Sequence, residues 1–217
     1  MIRTPRRPAA PRVVLAWIAA SQGLLGCTTP QPAGDPVGCT IGFFGTDSGP
    51  PALEIVAVQP DDTVAAVQDG GMVPLMEPPQ GGRVLFAGAR AINVDGCGVQ
   101  LTGALRDLTT GQVTVDSRTV NLVAAGGGWG STGVGAVSSA ISNFANIAVC
   151  PNQSFSTNAY GVPLGLEVNL VDREGRTAAS RLVVIPYCAE PATAATCMCT
   201  CAKGYMLGQA CPAGDAG

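Results

Sequence analysis

The chain has 217 residues, of which 15 are acidic, 12 basic and none histidine. Without an imidazole, Ser-His-Asp and Cys-His nucleophilic catalysis, histidine-ligated zinc and a histidine pH switch are all excluded. Four of the basic residues, Arg3, Arg6, Arg7 and Arg12, stand in the first twelve positions, so the remainder is acidic and offers no basic face to nucleic acid.

Residues 1–12 are basic and broken by proline, and residues 13–25 (VVLAWIAASQGLL) are apolar. An apolar run of about 13 residues is too short to cross a hydrocarbon core of ~30 Å, but with its basic flank it has the layout of a secretory signal peptide. The run ends in Leu24-Leu25-Gly26-Cys27, which resembles the lipobox of bacterial lipoproteins. The resemblance implies cleavage after residue 26 and acylation of Cys27. Several acyl chains, at ~0.8 kcal/mol per buried CH₂, make such an anchor effectively permanent. By the sorting rule of that family, Thr28 in place of an aspartate points to the outer membrane. Residues 27–51 then form a lipid-anchored tether. Its Pro- and Gly-rich part, 28–38, spans some ~30 Å when extended, and Ile41-Gly42-Phe43-Phe44 is an apolar segment able to dock on a core.

From residue 52 the pattern has period two. Strands are expected over Ala52–Val58, Met72–Met76, Arg83–Asn93, Val99–Arg106, Val113–Val123, Ser139–Val149, Leu164–Val171 and Ala178–Ile185. Turns at Asp95-Gly96-Cys97-Gly98, Thr109-Thr110-Gly111 and Asp172-Arg173-Glu174-Gly175 separate some of them. Alternation with 29 glycines and 17 prolines predicts an all-β fold, an antiparallel β-sandwich over residues 52–188. The final hairpin, residues 164–184, resembles the closing strands of immunoglobulin-like and fibronectin-like domains. The Cys…Trp…Cys signature of antibody domains is not reproduced, because Trp129 lies in a glycine-rich loop.

Apart from Cys27 the cysteines number eight: Cys39, Cys97, Cys150, Cys188, Cys197, Cys199, Cys201 and Cys211. An even count behind an export signal predicts disulfides, with the pairing left open. Four of the eight crowd into residues 189–217, which predicts a small stapled knot after the sandwich. Within it, Cys199-x-Cys201-x-x-Gly204-Tyr205 followed by Cys211 resembles the C-terminal half of an epidermal-growth-factor-like module. By that resemblance Cys201 pairs with Cys211 around a hairpin. Two other readings of the cluster are a soft-metal site and a redox-active C-x-C pair. The spacing departs from structural zinc motifs, and only Lys203 lies nearby to lower a thiol pKa.

Gly126–Gly133 lacks the lysine of a phosphate-binding loop and reads as an ordinary surface loop. Trp129 at its tip is a candidate contact residue, with the alternative that it folds back onto the sandwich. Asp61, Asp62, Asp69, Asp172 and Glu174 do not form a calcium loop and read as turn acids. No catalytic residue, metal ligand or cofactor site is marked. The whole chain resembles the envelope lipoproteins of high-GC Gram-negative bacteria, with a single lysine, Lys203. The expected function is a non-catalytic binding or structural module. It is held to a membrane by its lipid and presents loops 126–135 and 152–163 to an envelope protein or surface ligand. The alternative is a thiol-redox or metal-carrying envelope protein using the C-terminal cysteines.

Overall fold

The computed structural model describes residues 39–138 and 140–211. The expected signal peptide, Cys27 and the first part of the tether lie outside the described residues. In chain order the strands are β1 (Phe43–Phe44), β2 (Ala52–Val58), β3 (Val64–Ala66), β4 (Gly71–Leu75), β5 (Arg83–Ile92), β6 (Val94–Asp95), β7 (Val99–Arg106), β8 (Val113–Val120), β9 (Val123–Ala124), β10 (Gly130–Ser131), β11 (Ala145–Cys150), β12 (Leu164–Val171) and β13 (Thr177–Cys188). One short helix, α1 (Ala194–Thr200), follows. No described helix is long and apolar enough to cross a membrane.

Two sheets make a sandwich. The first runs β3-β2-β5, with β11 and β10 sharing the other edge of β5 and β9 paired to β10. The second runs β4-β13-β12-β7-β8. The ladders are antiparallel except β4 on β13. The twelve residues of β13 serve two partners: Thr177–Val184 pair with β12, and Val184–Cys188 pair with β4. Pro186 therefore falls where β13 has already left β12, and Pro74 lies on the edge strand β4. Both are positions that tolerate a missing N–H.

Period-two alternation sets what faces inward. In register, Leu101 opposes Leu170, Leu105 opposes Leu166, and Gly103 opposes Val168. The facing rows of the first sheet are mostly small: Ala57, Ala87, Ala89, Ala91 and Ala145, beside Ile55, Leu85 and Ile147. Bulky rows on one sheet over alanine rows on the other bring the sheets close together. A side chain on Gly103 would meet the Ala145 Cβ at 2.7 Å, so this inward position accepts only glycine. Each fully buried leucine in this layer contributes about 1.5–3 kcal/mol.

The free edges β8 and β11 are stitched to each other. The Asp116 carboxylate on β8 accepts the Asn146 backbone N–H of β11 at 2.9 Å and the Arg118 Nε–H at 2.6 Å. Inward-pointing charges of this kind blunt an edge against further strand pairing.

Several boundaries differ from expectation. Residues 39–51 belong to the domain: β1 pairs with β6, Cys39 is bonded to Cys97, and Arg176 stacks over the Phe43 ring at 4.2 Å. The strand expected over Ser139–Val149 begins only at Ala145, after a 3₁₀ turn at Ile141–Asn143. The expected strand over Val113–Val123 ends at Val120. The C-terminal knot opens with a helix that was not expected, and turns stand over residues 201–211 in place of the expected hairpin.

Candidate functional site

All eight candidate cysteines are bonded in pairs: Cys39–Cys97, Cys150–Cys201, Cys188–Cys197 and Cys199–Cys211. The pairing of Cys201 with Cys211 implied by the growth-factor resemblance is thus replaced by two bonds with different roles. Helix geometry explains the division. Cys197 and Cys201 are four residues apart and share the inner face of α1, whereas Cys199 lies on the opposite side. Cys197 and Cys201 are 1% and 0% exposed and join the main core, so their bonds to β13 and β11 clamp the tail onto the sandwich. Cys199–Cys211 closes a small loop within the tail.

The loops expected to present contacts are partly buried and partly exposed. Trp129 is half-buried, and the Arg90 guanidinium lies over its ring at 4.7 Å while pairing with Glu54 at 2.9 Å. Behind it, Ser131 and Thr132 are buried, and the Thr132 N–H donates to the Ala89 carbonyl. The segment then carries Val137 and Phe144 onto Val56, Val58, Val84 and Phe86, making a second small core on the outer side of the first sheet. The loop after β11 is pinned under the tail. The N–H groups of Asn152 and Ala159 donate to the carbonyls of Thr200 and Cys201, and Phe155 and Ala159 are buried.

The turn acids accept hydrogen bonds from the chain itself. Asp61 accepts from the Thr63 N–H and hydroxyl, and Asp69 from the Val183 N–H. Asp172 is buried and accepts from the N–H groups of Asp95, Glu174 and Arg176 and from Arg176 Nε. Asp62 adopts the left-handed backbone conformation at its turn, with φ of 63°. Glu174 pairs with Arg176 at 3.1 Å. Asp107, which sequence reasoning did not single out, is buried at the β7–β8 turn. It accepts from the Ser156 hydroxyl at 2.6 Å and from the N–H groups of Ser156, Thr109 and Thr110. The Ser156 hydroxyl, reinforced by those N–H groups and opposed by burial, holds its pKa well below the usual carboxylate range.

Among the described residues, the outer face of the second sheet is open to solvent. Two adjacent rows cross it: Val115, Ala104, Glu167 and Arg181, then Ser117, Thr102, Asn169 and Ala179. The small side chains Ala104 and Ala179 leave a shallow groove of about 300 Å³ across β7, β12 and β13. Its polar wall is built in advance. Glu167 accepts from Arg106 Nε at 2.7 Å and from Arg181 at 2.9 Å, and the Arg106 bond above all holds its pKa below the usual value. The Thr102 and Ser117 hydroxyls bond to each other at 2.8 Å. Val113 and Val115 at the rim are 40% and 55% exposed. None of these residues stood out as a motif. The signal that could have found them is the outward half of the alternation in Val99–Arg106 and Leu164–Val171, where small and polar residues sit between the leucines.

Comparison of the chain with family models, with curated proteins and with solved structures finds no match.

Proposed function

We propose that the chain is a cell-envelope lipoprotein, exported by residues 1–26 and anchored through Cys27 in the outer membrane. Its sandwich would be a non-catalytic binding or structural module of immunoglobulin-like type that engages an envelope protein or surface ligand. The observation that carries the binding role is the contrast between surfaces. One outer face is covered by Val137, Ala140, Ile141 and Phe144, the loop after β11 is pinned under the tail, and β8 and β11 are stitched together. The outer face of the second sheet combines a groove, exposed valines and a fixed polar wall. The immunoglobulin-like reading is supported by the strand order, with β2-β5-β11 opposite β13-β12-β7-β8 as in the A-B-E and G-F-C-C′ arrangement.

The face is tested by placing a photocrosslinking residue at Val115, at Asn169 or, as a control on the covering segment, at Val134, in cells that express the full chain. A discrete adduct from the first two and none from Val134 is expected. Equal adducts from all three, or none from the sheet positions, would sink the reading. The competing thiol-redox or metal-carrying function needs titratable thiols. Intact mass after alkylation without reduction separates the two, because adducts within residues 197–211 would favour the competitor.

A further inference from the structure

We propose that the reduced chain holds one thiophilic divalent cation, Zn²⁺, in a four-thiolate site formed by Cys150, Cys188, Cys197 and Cys201. The inference rests on the cysteine geometry and is independent of the partner face. In the oxidised protein the bonds Cys150–Cys201 and Cys188–Cys197 lie against each other, with 3.9 Å between the Cys197 and Cys201 sulfurs. The sulfurs of Cys188, Cys197 and Cys201 all fall within 4.8 Å of one another. A tetrahedral site with Zn–S bonds of about 2.3 Å has sulfur–sulfur edges of about 3.8 Å. The Cys197–Cys201 edge therefore already has the dimension of such a site. The edges within each disulfide must lengthen, and Cys150, which lies outside that group of three, must draw closer to Cys188 or Cys197.

The four ligands arrive from three directions. Cys150 ends β11, Cys188 ends β13, and Cys197 of α1 and Cys201 at its C-terminal cap stand one turn apart. Cys150, Cys197 and Cys201 are 5%, 1% and 0% exposed and Cys188 is half-buried, so three of the four ligands are shielded from solvent. Cys199 and Cys211, which the sequence groups with Cys197 and Cys201, take no part.

Each disulfide takes two electrons and two protons from one molecule of an external dithiol, which leaves as its own disulfide. The cation then displaces one proton from each of the four thiols. Reoxidation by an external disulfide expels the cation. Metal and the two clamping disulfides are thus alternative fasteners for the same tail, one for the reduced chain and one for the oxidised chain.

The test uses the full chain, reduced under anaerobic conditions and alkylated with or without zinc, with modified cysteines mapped by mass. The expected result is one bound zinc per chain and zinc-dependent loss of alkylation at Cys150, Cys188, Cys197 and Cys201 alone. Cobalt in place of zinc should give the visible absorption of a tetrahedral thiolate site. That absorption should survive Cys199→Ser with Cys211→Ser and vanish in Cys150→Ser with Cys188→Ser. Because both readings work on the unmutated chain as well, a variant that misfolds does not decide the matter. Protection that includes Cys199 or Cys211, no zinc-dependent protection, or equal zinc uptake by the oxidised protein would overturn the proposal.

Discussion

On the outer face of the first sheet, β2, β5 and β11 turn Val56, Val58, Val84, Phe86 and Ala148 outward. On the outer face of the second sheet, the corresponding positions of β7, β12 and β13 hold Thr102, Ala104, Glu167, Asn169 and Ala179. The apolar face is covered by the chain itself, with Phe144 fully buried and Val137 nearly so, while the small and polar face is left to solvent. Leaving a contiguous apolar face exposed is costly, and residues 131–144 serve as its lid. A face of alanine, threonine and an ion-paired glutamate has no such cost and stays available. The same two-residue period thus produces a closed surface and an open one, according to what fills its outward half.

The comparison is broken most severely by unseating the lid. Phe144→Ala removes the largest buried side chain of the covered face, and a loss of about 3–5 kcal/mol is expected, read as a shift of the urea midpoint with an unchanged slope. Asn169→Ala on the open face serves as the control. Gly88→Ala acts on the same contact from the sheet side. A Cβ there would collide with Thr132 Oγ1 and come within 2.7 Å of the Phe144 ring. Overpacking predicts a loss of about 1–3 kcal/mol, and hydrogen exchange should accelerate within residues 131–144 rather than in β7 or β12.

Asp107 sharpens the comparison at the pole, where it ties the β7–β8 turn of the open sheet to the loop after β11 through Ser156. Its folded pKa lies below its unfolded value, so its contribution is fully present above pH about 4 and is lost as the pH falls through the folded value. Asp107→Asn should destabilise by about 1–3 kcal/mol at neutral pH. In urea titrations the gap between variant and parent should narrow steadily in acid. A gap independent of pH would show that the carboxylate charge is not what the four donors stabilise.

The comparison also shows what a linear reading can reach. Val99–Arg106 and Leu164–Val171 were legible to the residue, because long alternation between leucines and polar residues has one interpretation. β3, β6, β9 and β10 are two or three residues long and carry no period. The apolar residues before β11 misled in a particular way: Ala140, Ile141 and Phe144 read as strand, yet they pack on the outer face as part of the lid. Residues 126–135 read as a free loop, because glycine and serine reveal nothing of the Val56–Phe86 surface beneath the segment they begin. The disulfide partners were beyond reach, because Cys150 lies 51 residues from Cys201 and only the folded sheet brings them together. The open groove was present in the text only as the unremarked outward residues of the two clearest strands.

The smallest expected change in stability is the most telling about function. Ala104 and Ala179 form the floor of the groove, and neither side chain holds the sandwich together from that side. Ala179→Arg places a long charged side chain across the groove, where its head reaches solvent and its stem lies on the sheet. Stability should move by no more than about 0.5 kcal/mol, as for surface substitutions elsewhere. If the open face is the contact surface, crosslinking from Asn169 should be lost in this variant while the urea midpoint stays in place. Adducts that persist beside an occupied groove would move the contact surface off this face, and the contrast between closed and open faces would then be one of solvation alone.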